Sequence, residues 1–228
     1  MQTIITRKQK LLRNFIISIG LFTTLLLIFA CQEPGLIKAV TDDVLVTLGI
    51  TGEVTISHPS DVVLSDIPGM TGGSSTSSAL TWTVTTSSAN GYTLKIEKDH
   101  LLRKGTGSNQ TIADYTEAAA GTPDYNWGSV GAGNEEFGFA PSSGADFVQK
   151  FKNNTTTCNQ AAGSITDLQC WSPIPITPAT AENIAYSASP TDGDGTDTAI
   201  KVKAEVGSSN NLEEGSFTCT ITATATNN

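Results

Sequence analysis

A run of alternating aspartate and glycine near the C-terminal end carries the strongest ligand character in the sequence. Asp192, Asp194 and Asp197 are separated by glycines and a threonine. Glycine lets a loop fold carboxylate oxygens around Ca²⁺, as in Asp-x-Asp-Gly loops. The twelve-residue pattern fails all the same: Lys203 is twelfth from Asp192, and although Glu205 is twelfth from Asp194, an alanine stands where the pattern needs its central glycine. An acidic turn leading into a strand explains the same composition. The three aspartates are therefore at most a weak structural Ca²⁺ site, and we predict no other cofactor.

Residue patterns typical of catalysis are missing. Neither His58 nor His100 belongs to an HExxH motif, and no GxSxG nucleophile elbow occurs. Asp42-Asp43 and Glu135-Glu136 are adjacent carboxylates, but neighbours along a strand point to opposite faces, so neither is a natural acid–base pair. We predict that the protein is not an enzyme; a hydrolase with a site assembled from loops is the third-ranked reading.

Four cysteines bear on compartment and cross-linking. Cys158 and Cys170 lie twelve residues apart in a loop-rich region, and a disulfide between them would close a loop worth about 3 kcal/mol in the chain-entropy model. Cys219 falls on the inward face of a predicted strand, where a free thiol packs as a small hydrophobe. We predict the Cys158–Cys170 bridge; the alternative is a bridge from Cys219 to one of the two.

Three aromatic residues in predicted loops are candidates for binding. Tyr125, Trp127 and Trp171 could stack on sugar rings or contact a protein partner if they are exposed. The other reading is that they fix the loops against the end of the fold. Their spacing does not decide between the two.

The composition excludes some partners. The chain has 228 residues with a formal charge of −9, and 15% of its residues are charged. An acidic chain without a basic face is a poor match for nucleic acid or for anionic lipid. We predict no nucleic-acid partner, and contact with a membrane only through the N-terminus.

The elements that must position these residues are strands. Apolar and polar residues alternate with a period of two, most clearly in Ser216–Thr226, and this period indicates half-buried antiparallel strands. The remaining predicted strands are Val44–Ile50, Val54–Ser57, Thr81–Thr85, Tyr92–Glu97, Glu136–Ala140 and Ala199–Val206. Only Tyr115–Ala120 is a candidate for a turn of helix.

Turn residues predict how the strands connect. Asn90-Gly91 suits a tight reversal between Thr81–Thr85 and Tyr92–Glu97, and residues 207–211 suit a hairpin joining the last two strands. Residues 101–135 and 153–180 are read as long loops. Together the pattern predicts an all-β fold, an antiparallel immunoglobulin-like β-sandwich with long decorated loops, formed by residues 40–228 as a single domain.

The first residues resemble an export signal. Four basic residues precede the apolar run Phe15–Ala30, and polar and breaker residues follow it. Cleavage after Ala39 gives a signal peptide of residues 1–39. Ile28–Cys31 resembles a lipobox, which instead gives a lipoprotein signal of residues 1–30 with Cys31 lipidated; an uncleaved anchor is the third alternative. In each case we predict a signal helix and an extracellular protein, secreted or attached to the bacterial cell surface.

Several strings carry a resemblance to known proteins. VTDDVLVTLGIT, WTVTTSSANGYTL, TIADYTEAAAGTPD, EFGFA and GSFTCTITATAT resemble a group of uncharacterised secreted surface proteins of candidate-phyla bacteria, over most of residues 40–228. The resemblance implies a β-sandwich at the cell surface. It also implies a mature chain that starts near the TDD string, which favours cleavage after Ala39.

A second resemblance is to the WxL domain, which binds cell walls. Gly91-Tyr92-Thr93-Leu94 stands where that family has Gly-Trp-x-Leu, with Tyr92 in place of the tryptophan. The threonine-rich last strand is similar to the strand that carries its final motif, with Thr222-Ala223-Thr224 where Trp-x-Leu belongs. Neither resemblance supplies a catalytic residue.

These observations lead to two functional readings. The first is an exported, non-catalytic structural or adhesive protein of the cell surface, which assembles with copies of itself by exchanging edge strands, either Val40–Ile50 or Ser216–Thr226. The alternative is a module that binds glycan or peptidoglycan through its loop aromatics. The predicted partners are therefore a cell-surface glycan or protein, or further copies of this chain.

Overall fold

The computed structural model describes residues 12–15, 17–23, 45–105 and 109–228. Residues 12–15 and 17–23 are helical and exposed. Within the described ranges, no helix has the length and apolar character needed to cross a membrane. The predicted cleavage site after Ala39 and the lipidation candidate Cys31 lie outside the described residues.

The chain divides into two compact units, residues 1–48 and residues 49–228. All the strands of the described residues lie in the second unit, and their pairings are antiparallel. The strands are β1 (Val54–Ile56), β2 (Gly73–Thr76), β3 (Leu80–Thr86), β4 (Tyr92–Lys98), β5 (Leu102–Lys104), β6 (Thr111–Ile112), β7 (Glu135–Gly144), β8 (Glu182–Ser187), β9 (Thr196–Val206), β10 (Phe217–Thr218) and β11 (Ile221–Asn227).

The first sheet is organised around β9. One side of β9 pairs with β3 and β2, the other side pairs with β7, and β1 extends the sheet beyond β3. The second sheet has the order β11-β4-β8, and a small third sheet has the order β10-β5-β6. Two short 3₁₀ helices, Gln149–Phe151 and Pro178–Thr180, lie in the connections.

Alternation along the strands builds one shared core. Trp82 and Val84 of β3 are buried, as are Leu94 and Ile96 of β4, and all belong to the same apolar cluster. In β9 the predicted inward row, from Ile200 to Val206, is buried as well. Antiparallel sheets that share one core are compatible with the predicted all-β sandwich.

The predicted hairpin between Thr81–Thr85 and Tyr92–Glu97 is wrong in its pairing. β3 belongs to the first sheet and β4 to the second, so the connection between them carries the chain from one sheet to the other. Gly91 nevertheless adopts the positive φ, 77°, that the turn requires. A Cβ there would come within 2.2 Å of the Ser187 carbonyl oxygen. Apolar alternation determined which side chains are buried, but not which strands pair.

The predicted hairpin joining the last two long strands is also wrong. β9 pairs within the first sheet, whereas β11 pairs with β4 in the second. The segment Ser216–Thr226 keeps its predicted alternation of half-buried and exposed residues, but it is interrupted between β10 and β11. The turn-rich residues 207–211 therefore lead out of the first sheet toward β10 of the third sheet.

Two further local predictions need correction. Of Val44–Ile50, residues 45–50 are described; they form no strand and are exposed, and β1 pairs with β3 instead. Tyr115–Ala120 forms no helical turn, because its first residue lies beside β7, where Tyr115 N–H donates to the Phe137 carbonyl oxygen at 2.8 Å. The apolar pattern of residues 45–50 is typical of a strand, but the described fold gives it no partner.

The predicted strand Glu136–Ala140 is the centre of a ten-residue strand, β7. Its register shifts between Pro141 and Ser143 rather than at Gly138. Gly138 marks a close approach, because a Cβ there would lie 2.7 Å from the Cβ of Tyr115. This contact lets the loop after β6 lie directly on the outer face of β7.

Candidate functional site: the edge strand β11

The three aspartates of the candidate Ca²⁺ site are exposed and are not gathered around a common point. The carbonyl oxygen of Asp192 accepts a turn hydrogen bond from Gly195 N–H, at 3.1 Å. Asp197 Oδ1 accepts a hydrogen bond from Thr83 Oγ1 at 2.6 Å. Among the described residues, no group of three or more His, Cys, Asp or Glu side chains could hold a metal ion. The segment, including Asp194, is an acidic turn leading into β9.

The predicted disulfide is present. Cys158 and Cys170 are bonded, with their Cα atoms 5.7 Å apart, and both are buried in the main core. Cys219 is a free, half-buried thiol between β10 and β11. Burial raises the pKa of Cys219 to about 11; the charges of Asp99 and Asp114 act in the same direction, and Lys98 opposes them.

The three loop aromatics do not form an exposed row. Trp171 is only 3% exposed, and its indole N–H donates to the Leu168 carbonyl oxygen at 3.0 Å. The ring of Trp127 packs edge-on against Trp171, with 4.8 Å between the ring centroids. Tyr125 is half-buried against the main core. In this arrangement Trp127 and Trp171 hold a loop against the first sheet.

Charged groups surround this aromatic cluster. The ammonium of Lys203 lies 4.5 Å from the centre of the Trp127 ring. Tyr115 O–H donates to Asp124 Oδ2 at 2.9 Å. The pKa of Tyr115 is raised, mainly because the side chain is buried and secondly because of this hydrogen bond. Burial also raises the pKa of Glu136, an effect that the neighbouring charges of Glu205 and Asp124 increase and that hydrogen bonds from Thr116 oppose. These contacts stabilise a loop layer on the first sheet.

A buried lysine connects the second sheet to this loop layer. The side chain of Lys98 is fully buried at the end of β4, and its ammonium donates to Asp114 Oδ1 and to the Ile174 carbonyl oxygen. This pair was not predicted from the sequence. The alternation along β4 could have indicated it, because Lys98 continues the inward row of Leu94 and Ile96, and a lysine buried in such a row needs a partner for its charge.

Among the described residues, the outer side of β11 has no hydrogen-bonded strand, although β1 approaches it. Asp99 N–H donates to the Thr220 carbonyl oxygen at 3.0 Å, and Asn228 N–H donates to Gly91 at 3.2 Å. In an antiparallel ladder, the backbone N–H and C=O groups of every second residue point toward the same neighbouring strand. The even-numbered residues of β11 therefore bond to β4, and the backbone groups of Ile221, Ala223 and Ala225 point away from it.

Loop segments cover the outer edges of the other long strands. At β8, Tyr186 N–H donates to Asp146 at 2.8 Å, and Val148 N–H donates to Ile184 at 3.1 Å. At β7, Phe139 exchanges two backbone hydrogen bonds with Ser172, both 2.9 Å long. The remaining outer strands of the first sheet, β1 and β2, have three and four residues.

No strand of the described residues pairs with the outer edge of β11. Asn227 closes only its last position, where its side chain accepts from Thr86 Oγ1 at 2.8 Å and donates to the Gly52 carbonyl oxygen at 3.2 Å. The inward side chains Ile221, Ala223 and Ala225 contact the core but stay half-buried.

The N-terminal apolar segment, residues 45–50, is a second unsatisfied feature. Leu45, Val46, Leu48 and Ile50 are each more than 80% exposed, and the segment carries no charge. Large apolar side chains exposed together in this way mark an interaction site on a soluble protein.

Comparisons with protein-family models, with curated proteins and with solved structures give no match for this chain.

Proposed function

We propose that the protein is a non-catalytic structural module of the cell surface that associates with copies of itself through β11. The observation that carries this proposal is the outer edge of β11, whose backbone groups have no strand partner among the described residues, whereas loops bond to the outer edges of β7 and β8. Unpaired backbone N–H and C=O groups along a strand are a template for pairing with another chain. We also propose that the sandwich is immunoglobulin-like, since the chain crosses from the first sheet to the second between β3 and β4.

The side chains of β11 support pairing. Natural edge strands are protected by lysine, proline or bulges. The sequence of β11, from Ile221 to Asn227, has no charged residue, no proline and no register shift against β4. Its outward threonines favour an extended conformation. Nothing in β11 opposes the addition of another strand.

Extracellular location is the second part of the proposal. The Cys158–Cys170 disulfide is consistent with an oxidising compartment, because such bridges persist mainly in exported proteins. The apolar run after the basic N-terminus has the layout of an export signal. Location is tested by mass spectrometry of the protein recovered from producing cells, which identifies the N-terminal residue and any lipid on Cys31. A full-length chain retained in the cytoplasm contradicts it.

Association is tested with proline at an outward-pointing backbone position. Ala223→Pro removes an N–H that faces away from β4, so the β4 ladder keeps its bonds while the outer edge loses a donor. Ala223→Val is the matched control, because it keeps the N–H and suits a strand. The full chain and both variants are examined by sedimentation velocity at several concentrations, in one mild detergent.

We expect association that increases with concentration in the unmodified chain and in Ala223→Val, and its loss in Ala223→Pro. Association through the apolar run Phe15–Ala30 is common to all three proteins and cannot produce this difference. Thermal unfolding shows that each variant is folded. A chain that stays monomeric at every concentration, or equal association of folded Ala223→Pro, overturns the proposal.

A further inference from the structure

We infer that residues 45–50 of one copy add as a strand to the outer edge of β11 in a second copy. This inference rests on the proposed function and names the segment that fills the uncovered edge. A donated strand supplies the backbone partners that β11 lacks, and its own apolar side chains become buried at the same time.

The N-terminal apolar segment has the pattern of a strand with one buried face. Val46, Leu48 and Ile50 form one row, and the other row contains Leu45, Thr47 and Gly49. Alternate side chains of a strand point to opposite faces. The first row is entirely apolar, so it is the row expected to turn toward the core.

The acceptor has the matching shape and length. Six residues of extended chain span about 20 Å, close to the length of the seven-residue β11. The half-buried inward row of β11 contains two alanines, Ala223 and Ala225, which leave room for larger side chains on the neighbouring strand. Valine, leucine and isoleucine on the donor complement this row of small residues.

The course of the chain favours donation to a second copy. Tyr92 pairs with Asn227 and Val54 pairs with Thr86, so β1 starts at the end of the sandwich where β11 finishes. Glu53 is fixed there, because its N–H donates to Ser87 Oγ at 2.9 Å and its carbonyl oxygen accepts from Thr86 Oγ1 at 2.8 Å.

Folding back onto β11 of the same chain would need a reversal within Thr51-Gly52. The carbonyl oxygen of Gly52 is already held by the side chain of Asn227. An extended segment that leaves this end can instead reach β11 of another molecule. Donor and acceptor are different surfaces of one chain, so repeated donation joins copies head to tail into an open chain.

The experiment is paired-cysteine cross-linking between two differently tagged full chains, both carrying Cys31→Ser and Cys219→Ser. One chain carries a single cysteine at position 45, 46, 47, 48, 49 or 50, and the other carries Ala223→Cys. After mixing and mild oxidation, the disulfide-linked product that contains both tags is quantified. Tyr186→Cys on the covered edge of β8 is the matched acceptor control, since this side chain is exposed.

We expect one even-numbered position, Val46→Cys, Leu48→Cys or Ile50→Cys, to cross-link to Ala223→Cys about tenfold more than the odd-numbered positions, because only the residue directly opposite on the same face brings its Cβ atom close enough. The same donors are expected to give only background with Tyr186→Cys. Equal yields from odd and even positions contradict the inference. A chain carrying both Leu48→Cys and Ala223→Cys that cross-links only within itself also contradicts it.

The two proposals fail separately. Association that Ala223→Pro abolishes, without cross-links from residues 45–50, leaves the β11 interface and removes this donor. If the unmodified chain does not associate at all, both the β11 interface and the donor segment 45–50 are ruled out.

Discussion

Lys98 of β4 forms a buried ion pair with Asp114, which lies beside β7 in the first sheet. The ammonium is completely enclosed, and the Ile174 carbonyl oxygen is its second acceptor. The pair connects the second sheet to the loop that covers the first. Because a buried charge without its partner is strongly unfavourable, this contact makes the position of the loop important for stability.

We predict that Asp114→Ala lowers the free energy of unfolding by about 3 kcal/mol, because it leaves the Lys98 ammonium buried without a counter-ion. Chemical denaturation followed by tryptophan fluorescence measures the change. Lys104→Met is the control, since its partner Glu213 is exposed and such pairs contribute less than about 1 kcal/mol. Equal effects from the two substitutions would contradict the prediction.

Glu136 gives a prediction about pH. Its pKa in the folded protein is raised above the ordinary value of 4.5, chiefly by burial. The folded protein therefore holds the Glu136 proton more tightly than the unfolded chain does. The resulting stability is fully present below pH 4.5, the ordinary pKa, and is lost as the pH rises through the raised pKa of the folded protein. We predict that Glu136→Gln raises the melting temperature at neutral pH and that this gain disappears in acid. The exposed Glu214→Gln is the control, and a gain of equal size at every pH contradicts the prediction.

Removal of the disulfide tests the loop that it closes. Cys158→Ala with Cys170→Ala opens a loop with a sequence separation of 12 residues, and we expect a loss of about 3 kcal/mol in the chain-entropy model. Urea denaturation measures the loss. A reduced but unsubstituted chain is the control for the effect of the alanines. No change in the midpoint after either treatment would contradict a stabilising role.

The thiol of Cys219 is predicted to react slowly. Because burial raises its pKa from 9.0 to about 11, its thiolate near pH 8 is about a hundredfold less abundant than that of an ordinary thiol. Alkylation by iodoacetamide is followed by mass spectrometry in a Cys31→Ser chain, with the urea-unfolded protein as the reference. Reaction of the folded protein at the unfolded rate contradicts the prediction.

Substitution of Trp127 distinguishes a role in packing from a role in sugar binding. Its ring contacts Tyr115, Trp171 and the Lys203 ammonium. We predict that Trp127→Ala lowers the melting temperature and leaves retention on purified peptidoglycan unchanged. Tyr186→Ala, at an exposed aromatic on β8, is the control. Loss of retention by folded Trp127→Ala would instead favour the glycan-binding reading.

The burial pattern of the strands could be read from the sequence because it is local. Trp82, Leu94 and Val202 each belong to a row with a period of two, and a buried sheet face imposes that period directly. The partners could not be read in the same way, since pairing depends on residues far apart in the chain. Thus β9 and β11 are separated along the chain only by the two-residue β10, yet they lie in different sheets.

The candidate site was predicted only in part. The threonine-rich last strand and the apolar residues 45–50 were both recognised as strand-like, and both were named as candidates for exchange. That β11 is an edge, whereas β8 is covered by residues 146–148, depends on loop positions that carry no periodic signal. The Cys158–Cys170 bridge was predictable because the two cysteines are close in sequence.

The position of β9 in the chain has a consequence for the order of folding. Three strands that precede β9 in the chain, β2, β3 and β7, all pair with it, and β4 pairs with β11, which follows later still. A chain that emerges N-terminus first, from a ribosome or through a translocation pore, cannot complete the first sheet before β9 has emerged or the second before β11 has emerged. We therefore expect fragments that stop before Thr196 to lack the strand that joins β2, β3 and β7, and the first sheet to form late in synthesis or export.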